Sequence, residues 1–424
     1  MSIAPPPGGA PHRGAATGSL HGRLDALTDW LQETRHLWTH RPFVALPAPW
    51  EAEWPDVARW LRGLDGDSLT LVERGEHVPE MPPAFARLVE TAAAHGRARP
   101  LPESTSSEAL VAVRPPGMLR RKADQVRPLA AVAAAVARDV GASRVVDWCA
   151  GKGHLGRAVA AQTGRPLTTI ERDPRLSAAG RALALEEGVE CQEVNADVHN
   201  EPMARHVDRE AVVVALHACG TLTDHLIGQA LLRRPVALVL SPCCYHRGHE
   251  SVARTPTSVA GRRRPLTLDH SALRLSTLDE GPATPGARAR RHREQAWRLA
   301  LDLLVREGSG RDAYTPLGRL PNGWFNEPFE RFVARVAARD GLALPVAWDP
   351  GRALAAGQAR AHTARALGAM RAQFRRPLER WLLLDRAQRL VEGGYEVSLG
   401  TYCDRRTTPR NLALVARRAH PMGA

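Results

Sequence analysis

Val145-Val146-Asp147-Trp148-Cys149-Ala150-Gly151-Lys152-Gly153-His154-Leu155-Gly156 is the stretch whose reading decides this chain. A β-type apolar run feeds a glycine turn, and a helical stretch follows. Glycines there let the backbone approach a ligand closely, and the first turn of the helix presents free amides to negative charge. The pattern predicts a nucleotide-type site at the end of a strand.

Outward from it, apolar β-type runs recur at SRVVDW, PLTTIE, ECQEVN, VVVALHA and VALVLSP, separated by helical stretches such as PRLSAAGRALALEEG. In that helix Asp173 is placed to cap, Pro174 to open and Gly188 to end it. Strands alternating with helices predict a parallel sheet covered on both faces. YEVSLGTYCD and NLALVARR return to β-type text near the end and suit an antiparallel pair.

The remaining text divides the chain. Residues 1–20 have the Pro/Gly/Ala composition of a disordered tail, and 21–105 place Leu24, Leu27, Trp30 and Leu31 at helical spacing, as in a small helical accessory domain. Residues 106–250 carry the first part of the α/β core. Residues 251–377 form an insertion, and 378–424 the last helix and strands. Within 248–294, Pro, Gly and Arg predict exposed or mobile loops.

Gly151, Gly153 and Gly156 spell Gly-x-Gly-x-x-Gly, and Glu171 lies 20 residues beyond Gly151, where a ribose-binding acid is expected. This alone leaves a dinucleotide-dependent oxidoreductase open. Asp147 at the strand tip separates the readings, because a carboxylate repels a pyrophosphate but suits a cationic sulfonium or ammonium. S-adenosylmethionine fits better than NAD.

DWCAGKGHLGR resembles the first motif of class I S-adenosylmethionine-dependent methyltransferases, with Cys149 where the first glycine of Asp-x-Gly-x-Gly-x-Gly stands and the last glycine displaced. The resemblance implies an α/β, Rossmann-like fold, with a mostly parallel seven-stranded sheet and an antiparallel C-terminal strand pair. It also implies S-adenosylmethionine held by Asp147, Cys149, Gly151, Lys152, Gly153, Glu171 at the ribose, Asp197 at the adenine amino group, and His217. LHACGTLTD, SPCCYHR and GTYCDRRTTPRN resemble the methyltransferase-domain family that includes the eukaryotic tRNA acceptor-stem 2'-O-methyltransferase and methyltransferase-like proteins. That likeness covers roughly residues 118–247 and 380–418.

Methyl transfer is an in-line displacement, for which a protein supplies proximity, orientation and, where needed, a base. His217 and Cys219 follow the fourth strand, the usual place in this fold for residues facing the methyl group. The Asn/Asp-Pro-Pro-Tyr motif of many amino methyltransferases is not matched. Cys243, Cys244, Tyr245 and His246 follow the fifth strand, and their candidate roles remain open. They could shape the substrate pocket with His246 as base, supply a thiolate that attacks pyrimidine C6, or ligate zinc with Cys219 or Cys403; buried small thiols are the plain alternative. Adjacent cysteines are poor metal spacing, so no metal is assigned. The catalytic candidates are His217, Cys243, Cys244 and His246; Lys122, Tyr245, Arg410 and Asn411 are the substrate-binding ones.

The formal charge of +13 suits a polyanion such as RNA. All but two of the 58 basic residues are arginines, the pattern of a codon bias more than of a selected nucleic-acid face. The two lysines, Lys122 and Lys152, both fall beside the candidate site. Arg262–Arg264 and Arg288–Arg293 could track phosphates or simply be solvated. The six cysteines, the missing hydrophobic segments for a membrane span and the lack of a secretory h-region predict a reduced, cytoplasmic protein. The sequence therefore predicts a methyltransferase acting on a macromolecule, RNA ahead of protein. An oxidoreductase and a non-catalytic RNA-binding module are the alternatives; oligomeric state is not legible.

Overall fold

The computed structural model describes residues 18–102, 118, 120–199, 206–278 and 284–419. Most of the N-terminal tail and of the Pro/Ser stretch near residue 105 lies outside these. The strands are β1 (Arg144–Trp148), β2 (Leu167–Glu171), β3 (Cys191–Asn195), β4 (Ala211–Leu216), β5 (Ala237–Ser241), β6 (Tyr395–Thr401) and β7 (Leu412–Arg418). They form one seven-stranded sheet in the order β3-β2-β1-β4-β5-β7-β6. β1 to β5 pair in parallel, and β7 runs antiparallel to both β5 and β6. This is the sheet the sequence predicts.

Strand side chains alternate between faces, and both faces are buried. Val145, Val212, Val214, Val239 and Val415 pack with Leu129 and Val132 of the helix Arg120–Asp139 and with Leu155 and Val159 of the helix His154–Thr163. Val146, Trp148, Val213, Leu238, Leu240 and Leu414 pack on the other side with Leu226 and Ile227 of the helix Thr221–Arg233 and Leu383 and Leu390 of the helix Arg375–Glu392. The strand order reverses at β1, whose neighbours are β2 and β4. A ligand crevice is expected at the carboxyl ends of such a pair.

The chain divides into two compact units. The sheet unit takes residues 1–32, 94–281 and 375–424; the second takes 33–93 and 282–374. The N-terminal helical segment and the insertion, separate in the sequence reading, thus mostly share one unit. Within it Trp297, Phe325, Phe329 and Phe332 form an aromatic core, and Arg365 pairs with Glu73 at 2.9 Å. The first helix, Leu20–Glu33, lies largely in the sheet unit, where Trp381 Nε1 donates to Thr28 Oγ1 at 2.9 Å.

One expectation is overturned. Exposed loops were expected across 248–294, but Arg254, Ser258, Ala260, Leu266 and Leu268 are buried, and 285–309 is a single helix. The reason is a carboxylate far away in sequence. Asp385, fully buried, accepts from the backbone N–H and hydroxyl groups of Thr257 and Ser258 and from Arg254 at 3.2 Å. Arg254 also pairs with Asp224, which Arg386 engages at 2.9 Å. Buried charges are tolerated when paired in this way. Burial would raise the Asp224 carboxyl, but Arg386 and Arg254 outweigh it and hold it well below the usual range. No described helix is long and apolar enough to cross a membrane.

Candidate cofactor and acceptor site

The cofactor loop grows directly from β1. Cys149 (φ 56°), Gly151 and Gly153 adopt left-handed backbone, and the helix His154–Thr163 starts immediately after. A non-glycine residue at positive φ is uncommon, so Cys149 holds under strain a turn that glycine would adopt freely. Gly156 lets the helix seat on β1: a Cβ there would lie 2.6 Å from Leu167 Cδ1 and 2.7 Å from Asp147 Cβ. Its amide donates to Asp147 Oδ2 at 2.9 Å, so the displaced last glycine still ties the loop to the strand.

Asp147 is therefore beneath the loop, buried, and not simply presented at its tip. Burial pushes its carboxyl up to about 7, against the Gly156 amide and the charges of Lys122 and Arg157, which lower it. The two lysines of the chain do converge here. Burial lowers Lys122, Asp147 opposes this, and Lys152 and Arg157 add to it; Lys152 itself is exposed. His154 is lowered to about 4, first by burial and then by the charges of Lys122, Arg157 and Lys152. The Cys149 thiol is pushed up to about 12 by burial and then by Glu171 and Asp147, which leaves it protonated and unreactive.

Glu171 ends β2 and accepts from Gly151 N at 2.8 Å and from Asp173 N at 2.9 Å. Asp197, beyond β3, is half-buried and accepts from His199 N at 3.0 Å. Three adjacent strands thus deliver Asp147, Glu171 and Asp197 to one edge. A Cβ at Gly151 would meet no atom within 4 Å, so the loop leaves open space. Carboxylates as hydroxyl and amine acceptors around a glycine cradle fit S-adenosylmethionine.

The acceptor side is built from the loops after β4 and β5, and Gly220 and Gly248 let them close on one another. A Cβ at Gly220 would fall 1.8 Å from Arg247 O, and Thr221 N donates to that same carbonyl at 3.2 Å. His217 takes left-handed backbone (φ 70°), its Nδ1 lies 3.3 Å from Cys243 Sγ, and the Sγ atoms of Cys219 and Cys243 are 3.2 Å apart. Desolvation of the ring and then the charge of Lys122 lower the His217 pKa, keeping the imidazole neutral at pH 7. Cys403 is not among these clustered sulfurs.

The sequence-assigned acceptor residues separate here. Tyr245 is buried, its ring lies 5.2 Å from the Arg386 guanidinium carbon and its hydroxyl donates to Glu379 Oε1 at 3.5 Å, so it holds the loop from below. Asn411, also buried, accepts from Arg376 at 2.7 Å and donates to Cys403 O at 2.7 Å, clamping the β6–β7 hairpin. Both make structural contacts within the loops where substrate binding is expected. Arg410 is half-buried, donates to Thr277 O, and its charge acts on both His217 and Cys244. His246 is half-buried, with its ring 5.4 Å from that of His270. Arg262 and Arg263 end a short helix and Arg288–Arg293 lie in the first turns of another, so neither cluster is a loop. The supporting residues that sequence reasoning missed are Arg254, Asp224, Asp385 and Arg386; Arg386 donates to Gly220 O of the acceptor loop from 166 residues away, and such partners leave no local pattern.

Residues 121–250 match a family described as "Methyltransferase domain". A curated relative, a glutathione S-transferase C-terminal domain-containing protein homolog of Drosophila pseudoobscura pseudoobscura, is 34% identical over 132 residues, which is 31% of this chain and 21% of that protein. The chain thus spans about a fifth of the length of that relative. Among solved structures, the Pyrococcus abyssi tRNA (uracil-54, C5)-methyltransferase in complex with S-adenosyl-L-homocysteine is 16% identical, overlapping 26% of this chain and 27% of its own at a TM-score of 0.21. An O-methyltransferase family protein from Burkholderia thailandensis is 14% identical, with 94% and 95% covered at a TM-score of 0.28. The matched segment holds β1 to β5 and both loops described above. Over these residues the chain is similar to a methyltransferase domain.

Proposed function

We propose that this domain methylates a structured RNA. The observation that carries the methyltransferase half is the convergence of Asp147, the 149–153 loop, Glu171 and Asp197 at the switch between β1 and β4. When bound, S-adenosylmethionine supplies an electrophilic methyl group on a sulfonium. The chain's own residues bind, orient and accept a proton. Glu171 receives the ribose hydroxyls while bracing Gly151, Asp197 receives the adenine amine, and the neutral His217 ring stands at the end of β4 as the acceptor's base. The charge of +13, with Lys122 and Arg410 flanking His217, favours a polyanionic acceptor.

Methyl-labelled S-adenosylmethionine incubated with the protein and extract from cells lacking its gene is the test, with products divided between ribonuclease and protease digestion. Label released by ribonuclease is the expected result. Label released by protease overturns the RNA reading in favour of protein.

The cofactor half makes a pH prediction. The Asp147 carboxyl sits near 7 in the folded chain against 3.8 as its ordinary value, so the fold binds a proton that the unfolded chain releases between those pH values. This group's contribution to stability therefore falls as pH rises from about 4 to 7. A cationic cofactor favours the carboxylate, so its affinity rises with pH through 7, by at most about tenfold per unit. Calorimetric titration across pH 6 to 8.5 should show this rise in the native protein and its loss in Asp147→Asn. Equal slopes in both would remove Asp147 from cofactor recognition.

A further inference from the structure

We propose that Cys219, Cys243 and Cys244 form a thiolate site for a zinc-type divalent cation, joining the loops after β4 and β5. The adjacent pair Cys243-Cys244 has poor spacing for a metal by itself, and the fold supplies the third ligand from another loop. The three sulfurs all lie within 4.8 Å of one another, with Cys219–Cys243 at 3.2 Å and Cys243–Cys244 at 3.7 Å. Zinc–sulfur bonds of about 2.3 Å in tetrahedral geometry separate ligand sulfurs by roughly 3.8 Å, so small shifts seat the ion. Among the described residues this is the one group of three or more His, Cys, Asp or Glu donors arranged so closely.

Two further features point the same way. The cluster is preformed, because Gly220 closes on Arg247 and holds the two loops in register before any ion arrives. Cys243 is buried while Cys219 and Cys244 are half-buried, which leaves an approach from solvent. A cation taking the site displaces the thiol protons to solvent, and its two positive charges offset the thiolates' repulsion. His217 Nδ1, 3.3 Å from Cys243 Sγ, is the outer partner that orients this ligand.

Cobalt(II) titrated into the full, reduced, metal-free chain is the test, read by the thiolate-to-cobalt charge-transfer absorption, whose intensity scales with the number of sulfur ligands. One equivalent should give a band of three-thiolate intensity that zinc then removes. Cys219→Ser and Cys244→Ser should each lower the intensity by about a third and weaken affinity by more than about a hundredfold, beyond the cost of losing an outer partner. Cys403→Ser should leave the band intact. Circular dichroism identifies any variant that does not fold, and the other of the pair then decides. Absence of the band in the native chain, or an undiminished band in a folded Cys219→Ser or Cys244→Ser, overturns the proposal. Because the readout needs neither cofactor nor RNA, its failure is separate from failure of the methyl-transfer reading.

Discussion

Asp385→Ala should lower the stability of the sheet unit by about 3–5 kcal/mol, the range for breaking a buried ion pair. The carboxylate is fully buried and receives both backbone amides and both hydroxyls of Thr257 and Ser258 as well as Arg254. Removing it leaves those donors without an acceptor and Arg254 with Asp224 alone. The cost is the desolvation penalty of each group left behind, which exceeds the net value of the bonds themselves. Urea unfolding gives the magnitude. Protease cleavage at Arg254, buried in the native chain and released when its partner is lost, gives the location. Asp385→Asn keeps the shape and some acceptor capacity, so it should fall between. A loss under about 1 kcal/mol for alanine, within the range of an ordinary surface pair, would show that the segment is held by packing alone.

Glu171→Ala should weaken S-adenosylmethionine binding by roughly 10- to 100-fold, the equivalent of losing a charge-assisted hydrogen-bonding group. The carboxylate braces the glycine loop at Gly151 N and the next helix at Asp173 N, and in the proposed function it also receives the ribose hydroxyls. Glu171→Gln retains an acceptor for one partner and should lose less. Calorimetry with S-adenosylhomocysteine, which keeps the ribose and lacks the sulfonium, should show the same loss, since the ribose contact is unchanged between them. A loss confined to S-adenosylmethionine would mean that Glu171 acts through charge on the sulfonium instead.

Much of this was legible in the sequence because its signals are local. The apolar runs now form β1 to β7, and Asp147, Glu171 and Asp197 fall at strand ends by counting alone. Cys149 stood in a glycine's place and takes the glycine's conformation, with φ at 56°. For Tyr245 and Asn411 the burial was not legible. A polar or aromatic residue in a loop motif gives no sign of whether it faces solvent or the interior, and here both are buried against the helix Arg375–Glu392 and its start.

The sequence by itself determined the α/β architecture, the glycine cradle and the acids around it, since strand periodicity, turn chemistry and motif spacing act over a few residues. Tertiary structure decided what depends on contacts between distant segments. It anchored Arg254, Thr257 and Ser258 on Asp385, joined residues 33–93 to 282–374 in one unit, and brought Cys219 to the Cys243-Cys244 pair. Burying a charge or gathering thiols requires partners more than a hundred residues away in the first case and from a second loop in the other. No local propensity encodes such partners; the packing of the two helical layers on the sheet selects them.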